Sequence, residues 1–404
     1  MTLVVRDVRL AADDAPVDVT LSDGLIDAIS PAAGPGPAGD DAEVIEGGGG
    51  TLLPGLIDAH FHAYGVEIEN LAINAHPLSY VGIKGAVRCR AALERGFTTV
   101  RDVAGGDPGL AAALRERVLP GPDYFYTGPA LSQTGGHGDE HPGVLDLCSG
   151  HGHMGEVVDG VDALRAAVRK RFRAGVHAIK VMASGGVVSP TDPIQLSQYS
   201  EEELETVCRE AARRGSYVAA HAYPAEAVRR AVAAGVRSIE HGNLIDEGAA
   251  DDMAAAGAFL VPTLVAYDAM SRRGSDSGLS AEGLRKNGEV LLRGQDAVQL
   301  AHRAGVRVGW GSDLMGDLED EQLRGLELQA DASGLDETLR SATEVNAELM
   351  GLTDRGRIEV GLRADLLILP GRLAEDPALL WTNRPGRIVI QSGRVAARDG
   401  RLVD

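Results

Sequence analysis

The chain has 404 residues, of which 44% are hydrophobic but only 4% are aromatic. A chain of this length can bury a large core, as one large domain with an appendage or as two domains. Its formal net charge of −20 predicts that neither nucleic acids nor anionic lipid surfaces are partners, because an acidic surface repels polyanions.

The cysteine pattern and the N-terminus predict the compartment. Cys89, Cys148 and Cys208 have no short paired spacing, which argues against a disulfide framework and a structural zinc knuckle. No basic start leads into an apolar segment, and no apolar run approaches the length of about 18 residues that a membrane-spanning helix needs. A soluble, cytoplasmic protein without a membrane segment is therefore predicted.

Both ends of the chain contain short strand patterns. Residues 1–54 hold LVVRDVRL, PVDVTLSDG, GLIDAISP and AEVIEGG, separated by clusters of Asp, Gly and Pro. The other end, 356–404, holds ADLLILPG, GRIVIQSGRV and GRLVD. Because either group alone is too small to bury a core, we predict one small discontinuous β-sandwich domain built from 1–54 and 356–404.

The remaining segment, 55–355, alternates between strand and helix patterns. The candidate strands are 56–62, 98–103, 124–131, 177–183, 217–222, 238–242, 259–264 and 306–313. Helical patterns follow most of them, which predicts a (β/α)8 TIM barrel. The alternative, an open doubly wound sheet, would require a glycine-rich phosphate loop after an early strand, and the sequence has none.

Two histidines close the first barrel strand, PGLIDAHFH. Side chains alternate between the faces of a strand, so His60 and His62 point the same way while Phe61 points to the opposite layer. Two convergent imidazoles suit a divalent metal ion. On its own, the pair fits a polar strand end equally well.

Three further candidate ligands lie where later strands end. His221 closes AAHAY, His241 closes SIEHG and Asp313 closes GWGSD. The carboxyl ends of barrel strands line one mouth, so these side chains are expected to meet His60 and His62 there. A carboxylate such as Asp313 can both bind a metal and accept a proton from water. Together these residues predict one metal site.

Lys180 is unusual because it lies within the apolar strand AIKVM. The other lysines, at 84, 170 and 286, are in helical patterns where a solvated cation is expected. A buried ammonium is costly and tends to lose its proton. The neutral amine can then add carbon dioxide and form a carbamate, which is an anionic ligand with two oxygens. The alternative is an ion pair between Lys180 and a neighbouring carboxylate, such as Asp102 on the second strand.

At this point the chain resembles the amidohydrolase superfamily, specifically its binuclear branch with a carboxylated lysine. The resemblance rests on PGLIDAHFH, TTVRD (98–102), SQTGGHGD (132–139), IKVMASGG (179–186), AHAY (220–223), EHG (240–242), GSD (311–313) and the tail 346–369. It is similar to prolidase-like, arginine-carboxypeptidase-like and imidazolonepropionase-related members. The resemblance implies hydrolysis of the C–N amide bond of a dipeptide or an N-acyl amino acid.

The resemblance also implies a ligand set for two divalent ions, with Zn²⁺ as the expected metal. His60, His62 and Asp313 would hold the more buried ion, and His221 and His241 the more exposed one. A carbamate on Lys180 and a hydroxide would bridge the pair. The implied catalytic residues are Asp313, Lys180 and His241, with Asp313 taking the hydroxide proton and delivering it to the leaving nitrogen.

Substrate recognition is expected beside the metals. Tyr223 lies two residues after His221 and so faces the same cavity if the strand continues, although packing at the barrel rim is an alternative. By resemblance, Tyr223 and His137 bind a substrate carboxylate. Arg101 could supply a further charge or instead support the metals. The predicted partner is a small molecule with an amide and a carboxylate, and relatives suggest a homo-oligomer.

Other chemistries remain open. The mononuclear deaminase branch carries His-x-x-Glu on the fifth strand, whereas here Ala222, Tyr223 and Pro224 follow His221, so amide hydrolysis is favoured. A hydrolase of a cyclic amide, lactone or carbamate would use the same metal site. A non-catalytic barrel scaffold is the remote alternative.

Two long loops could cover the predicted site. Residues 132–158 form a Gly- and His-rich loop that is a candidate lid, or a third metal site through His141, His151 and His153. Residues 186–200 are a second candidate lid.

Overall fold

The structure is a computed structural model that describes residues 2–10, 15–32, 34, 42–139, 152–189, 192–383 and 385–403. Its strands are β1 (Thr2–Arg9), β2 (Val17–Ser22), β3 (Leu25–Pro31), β4 (Ala42–Pro54), β5 (Leu56–Phe61), β6 (Phe97–Asp102), β7 (Asp123–Tyr126), β8 (Ala130–Ser132), β9 (Gly155–Val157), β10 (Ile179–Met182), β11 (Val218–Pro224), β12 (Ser238–Leu244), β13 (Phe259–Val261), β14 (Arg307–Val308), β15 (Leu366–Leu369), β16 (Ile388–Gln391), β17 (Arg394–Arg398) and β18 (Arg401–Leu402).

The α-helices are α1 (Asn70–Ala75), α2 (Leu78–Glu94), α3 (Pro108–Arg115), α4 (Val161–Arg173), α5 (Glu201–Ala212), α6 (Ala225–Ala233), α7 (Glu247–Ala256), α8 (Leu264–Arg273), α9 (Ala281–Ala304), α10 (Arg324–Ser333), α11 (Leu335–Arg340), α12 (Asn346–Met350) and α13 (Ala378–Trp381). A 3₁₀ turn occupies Gly316–Glu321, and a π-helical turn occupies Ser341–Val345. No helix among the described residues is both long and apolar enough to cross a membrane.

Strands from the two ends of the chain form one sheet of eight strands, in the order β18-β17-β16-β15-β4-β1-β2-β3. The two ends meet where β4 pairs with β1 on one side and with β15 on the other. Alternate apolar side chains, including Leu3, Val5, Leu21 and Ile368, form a buried cluster on this sheet. The predicted assembly of a β unit from both chain ends is confirmed as part of the fold.

The central segment forms the predicted barrel. A parallel sheet runs in the order β14-β13-β12-β11-β10-β8-β9, and a second runs β5-β6-β7. The predicted strand 124–131 is divided between the two sheets, because β7 ends at Tyr126 and β8 begins at Ala130. The two sheets meet again between β5 and the segment after β14. Backbone hydrogen bonds from Ala59 N to Trp310 O (3.1 Å) and from Asp313 N to His60 O (2.7 Å) close the barrel at this seam. The TIM-barrel fold class is confirmed.

The structure differs from the predicted strand pattern around β13. The pattern 259–264 predicts one strand, but β13 ends at Val261 and α8 begins at Leu264. The apolar run continues from the strand into the buried face of the helix, so no polar boundary separates them. Thr263, with φ of 48°, makes the turn between the two elements.

The cysteines fit the prediction in part. Cys89 and Cys208 are buried free thiols within α2 and α5, as their helical positions suggest. Cys148 lies outside the described residues.

Candidate metal centre

The side chains of His60, His62 and Asp313 converge at the seam of the barrel. Asp313 Oδ1 lies 2.8 Å from His62 Nε2 and 3.2 Å from His60 Nε2. One ligand atom from each residue falls within 4.8 Å of the others, which is the spacing of donors around one divalent ion. The donor set therefore fits a metal ion, and strand alternation correctly predicted that His60 and His62 face the same point.

His221 and His241 lie beside this group. The ring centroids of His221 and His241 are 4.5 Å apart, and that of His241 is 5.0 Å from His60. His241 Nδ1 is 3.7 Å from Asp313 Oδ2 and 2.8 Å from the hydroxyls of Thr263 and Tyr267. His221 Nε2 donates to the Gly185 carbonyl over 3.1 Å. The five predicted imidazole and carboxylate ligands thus lie in one cluster.

Left-handed backbone at two strand ends makes this cluster possible. Consecutive strand residues normally point to opposite faces, yet Glu240 and His241 both contact His60. His241 has φ of 75° and Asp313 has φ of 53°, so both depart from strand geometry. Such strained conformations are concentrated at functional sites, where the surrounding structure maintains them.

Lys180 lines the same cavity with 2% of its surface exposed. Burial lowers the pKa of its ammonium to about 8, although the negative charges of Glu240 and Asp313 oppose that shift. Within the described residues no ion pair joins Lys180 to Asp102; the carboxylates whose charges act on Lys180 are those of Glu240 and Asp313. Asp102 instead accepts hydrogen bonds from Tyr124 Oη (2.7 Å) and from Ala63 N (3.1 Å).

Negative charge is concentrated around the metal-facing nitrogens. Burial alone would lower the pKa of His62, but Asp102 and Asp313 outweigh it and raise that pKa to about 9. For Asp313, burial alone would raise the pKa of the carboxyl group, but His60 and His62 hold that pKa well below its usual range. Asp313 is therefore an ionised carboxylate, in surroundings that attract a cation.

Sequence reasoning missed Glu240, which orients His60. Glu240 Oε2 lies 2.7 Å from His60 Nδ1, while Oε1 accepts from Arg101 over 2.8 Å. Burial opposes ionisation of Glu240, but Arg101 holds its pKa well below the usual range. A carboxylate that accepts a hydrogen bond from Nδ1–H of a histidine leaves Nε2 free for a metal. An acidic residue within the short strand SIEHG was the available signal.

Arg101 does not reach the cavity. Its side chain is completely buried and donates to Ala59 O over 2.5 Å and to Glu240. A guanidinium enclosed by these partners cannot meet a substrate, so the suggested binding role for Arg101 is not supported by its position. Its contacts match the alternative, which is support of the metal ligands.

Asp58 is a second residue that the sequence analysis did not single out. Its carboxylate accepts from Ser312 Oγ (2.5 Å), from Gln322 Nε2 (2.9 Å) and from His60 N (3.0 Å). Burial raises the pKa of Asp58 despite these bonds. Because it joins β5 to the segment that carries Asp313, it holds candidate ligands from the first and the last barrel strands in register.

The two residues expected to bind a substrate carboxylate both line this cavity. The His137 ring stacks on His221 with centroids 4.4 Å apart. The Tyr223 ring stacks on His241 at 5.2 Å, and its hydroxyl lies 3.0 Å from that of Tyr267. Their position beside the metal ligands is the predicted one, and their role remains a prediction.

Part of the cavity lining is an apolar wall. It includes Ile68, Val187, Val188, Met270, Leu314 and Leu318. Within the described residues that line the cavity, the ionisable side chains are confined to the metal ligands, Lys180, His137 and Tyr223. A substrate in this cavity therefore meets both ionisable groups and hydrocarbon.

The possible third metal site has no support in the described structure. His153 Nε2 lies 3.0 Å from the carbonyl of His76, and its backbone N donates to Asn74 Oδ1. His153 belongs to no metal-type cluster of the described residues. His141 and His151 lie outside the described part of the chain.

This barrel and its cluster of histidine, lysine and aspartate side chains are typical of the amidohydrolase fold class. The model of the amidohydrolase family matches residues 51–396, and the chain belongs to that family. The family predicted from the sequence is thus confirmed.

The chain is similar to several proteins of known structure or activity. The chain is 34% identical over 279 residues to an ochratoxinase of Aspergillus niger, covering 65% of this chain but only 58% of that relative's length. A solved prolidase in complex with N-methylphosphonate-L-proline is 39% identical, with a TM-score of 0.93 over 98% of this chain and 100% of the other. A Xaa-Pro dipeptidase with methionine in its active site is 27% identical, with a TM-score of 0.85 over 98% and 99%.

Proposed function

We propose that this protein is a binuclear metal-dependent amidohydrolase that cleaves the C–N bond of a dipeptide or an N-acyl amino acid. One observation carries the proposal, namely the convergence in a single buried cavity of His60, His62, Lys180, His221, His241 and Asp313. The similarity to a prolidase and to a Xaa-Pro dipeptidase supports this substrate class.

The metal ligands divide into two groups. His60, His62 and Asp313 would hold one divalent ion, and His221 and His241 a second, with Zn²⁺ as the expected metal. When bound, such ions supply Lewis acidity to the scissile carbonyl and lower the pKa of water. Asp313 then acts as the proton carrier, because its ionised carboxylate accepts the proton of the attacking water and delivers it to the leaving amide nitrogen.

Lys180 would supply the bridging anion. Its pKa of about 8 leaves part of the amine neutral near neutral pH, so the nitrogen lone pair can attack carbon dioxide. The step forms one N–C bond, releases one proton and gives a carbamate with two ligand oxygens. Lysine suits this role because arginine stays protonated.

The cavity suggests how the substrate lies. His137 and Tyr223 would bind the substrate carboxylate, beside His221 and His241. The apolar wall, with Met270 and Val188, would take an uncharged side chain or acyl group, since burying a charge there without a partner is costly. Substrates with an apolar group are therefore expected to react best.

The test combines metal analysis with a substrate panel. Purified protein should contain two divalent ions per chain and hydrolyse dipeptides or N-acyl amino acids faster than lactones and cyclic amides. Carbon-13 bicarbonate should label Lys180 as a carbamate in the NMR spectrum. Fewer than two metals in active protein with unmodified Lys180 would refute the binuclear proposal, and a preference for lactones or cyclic amides would favour the alternative chemistry.

A further inference from the structure

Lys286 is a buried cation that the proposed reaction does not use. It lies on α9, where the sequence pattern predicted a solvated lysine, but only 3% of its surface is exposed, so that prediction is wrong. Its ammonium donates to three backbone carbonyls, those of Gly186 (3.1 Å), Ser189 (2.7 Å) and Asp192 (2.6 Å). Within the described residues no carboxylate forms an ion pair with it. Within the described residues, the hydrogen bonds of this ammonium are therefore all made to backbone carbonyls.

The segment that Lys286 holds leads directly to His137. The Asp192 carboxylate accepts from Gly186 N over 2.8 Å and lies 3.5 Å from His137 Nδ1. Gly186 lies under the His137 ring, where an added Cβ would come within 2.0 Å of the imidazole. Gln198 completes the arrangement by accepting from His137 N over 2.9 Å. The loop is thus shaped around this one imidazole.

The same segment forms part of the apolar wall. Val187 and Val188 follow Gly186 and line the cavity next to the metal ligands. The three carbonyls converge on one ammonium, so their relative positions depend on that charge. Hydrogen bonds to a charged donor are worth more than neutral ones, and buried carbonyls left without a donor are costly. Without the ammonium, the segment must rearrange to recover hydrogen bonds.

We propose that Lys286 is a positioning residue for substrate binding. It gathers the carbonyls of Gly186, Ser189 and Asp192 so that the Asp192 carboxylate holds His137 against the substrate carboxylate. This inference rests on the proposed function. The inference goes beyond the proposed function because it makes the geometry of the carboxylate subsite depend on a lysine that does not touch the substrate. Its effect is expected on KM rather than on kcat, because the metal ligands do not depend on this segment for their contacts to one another.

The first test is Lys286→Met, which keeps much of the chain length and removes the ammonium. For an N-acyl amino acid we expect KM to rise by about tenfold or more while kcat stays within about threefold, as for lost binding. For the matching N-acyl amino acid amide, which lacks the carboxylate, we expect the KM of the variant to equal that of the parent. Lys84→Met is the matched control, since Lys84 is exposed on α2, and it should leave both constants unchanged.

A second variant covers the case in which Lys286→Met does not fold. Asp192→Asn leaves the backbone carbonyls on Lys286 but removes the charge that faces His137, and it should give the same KM pattern. In addition, the effect of Asp192→Asn should largely vanish in a His137→Asn background, because contacting residues that act together are not additive.

Three outcomes would overturn the assignment of Lys286. These are an unchanged KM in Lys286→Met and Asp192→Asn, equal losses on substrates with and without a carboxylate, or additive effects with His137→Asn. Each would leave the proposed hydrolase intact, provided that the parent protein cleaves amides. A metal-loaded parent protein that hydrolyses no amide would overturn both proposals.

Discussion

The candidate metal ligands and the loop residues that line the same cavity are held in place in different ways. At the metal end, ligands from strand ends are held by buried charged residues of the barrel itself, such as Glu240 on His60. The loop residues of the lining, His137, Val187 and Val188, are instead held through contacts with Asp192 and Lys286. The comparison suggests that the reaction depends on the strands and substrate selection on the loops, as expected for this architecture.

The difference also affects how each end responds to mutation. Truncating a residue at the metal end leaves a buried charge without its partner, which lowers metal affinity and the rate together. Altering the loop end changes which substrate is held, while the proton carrier Asp313 keeps its neighbours. Four substitutions test this division, in order of decreasing expected effect.

Asp313→Asn should have the largest effect. An amide cannot accept the proton of the attacking water and is a poorer metal ligand than a carboxylate, so kcat should fall by about 10²- to 10⁴-fold. Steady-state kinetics with measured metal content test this. Asp331→Asn, at an exposed position of α10, is the control and should behave like the parent. If Asp313→Asn kept the parental kcat, Asp313 could not be the proton carrier of the reaction.

Glu240→Gln should weaken the metal end without touching the substrate. The neutral amide no longer fixes the Nδ1 proton of His60, and losing such an outer partner usually costs about 10- to 100-fold in metal affinity or activity. Competition with a chelator measures that affinity. Glu289→Gln, with its carboxylate exposed on α9, provides the matched control. Unchanged affinity would mean that His60 is oriented by other contacts.

Met270→Lys should alter selection rather than chemistry. Met270 is 7% exposed on the apolar wall, and a cation there would disfavour an apolar acyl group, lowering kcat/KM for such substrates by about tenfold. For acidic substrates, kcat/KM should fall by less than this or should rise. Met270→Leu conserves volume and polarity, so its kcat/KM should stay near the parental value, and its free energy of unfolding should fall by less than about 1.5 kcal/mol. Equal losses on apolar and acidic substrates would argue against a selective wall.

Ser200→Ala should affect only stability. Ser200 caps α5 through a reciprocal pair of bonds with Glu203, so its loss should lower the free energy of unfolding by about 1 kcal/mol. Denaturant unfolding measures the change, and kcat/KM should match the parent. Ser200→Asp retains a capping oxygen and should retain most of the stability. A loss of activity at constant stability would connect this helix end to the loop that holds His137.

Much of the fold and of the metal site was predictable because the patterns are local. Strand alternation placed His60 and His62 on one face, and the order of strand ends brought His221, His241 and Asp313 to one mouth. Lys180 was recognisable because a lysine inside an apolar strand has no ordinary explanation. The expected substrate residues Tyr223 and His137 lie on the same cavity.

The residues that were missed or misjudged depend on contacts between distant segments. The sequence cannot tell whether a lysine on an amphipathic helix is solvated, and Lys286 was misjudged because its three partners lie about a hundred positions earlier in the chain. Arg101 and Glu240 are far apart in sequence and pair beneath His60. The split of the third strand and the left-handed turn at His241 likewise arise from closure of the barrel.

The sequence by itself determined the alternation of strands and helices, the order of the ligands and the conflict of a lysine in an apolar strand, because side-chain period and polarity are local properties. The tertiary structure alone decided which buried charges meet, which way His60 is oriented, and that a helix lysine organises the loop around His137. Such pairings depend on the distances between segments that closure of the barrel brings together, and a linear pattern carries no record of them.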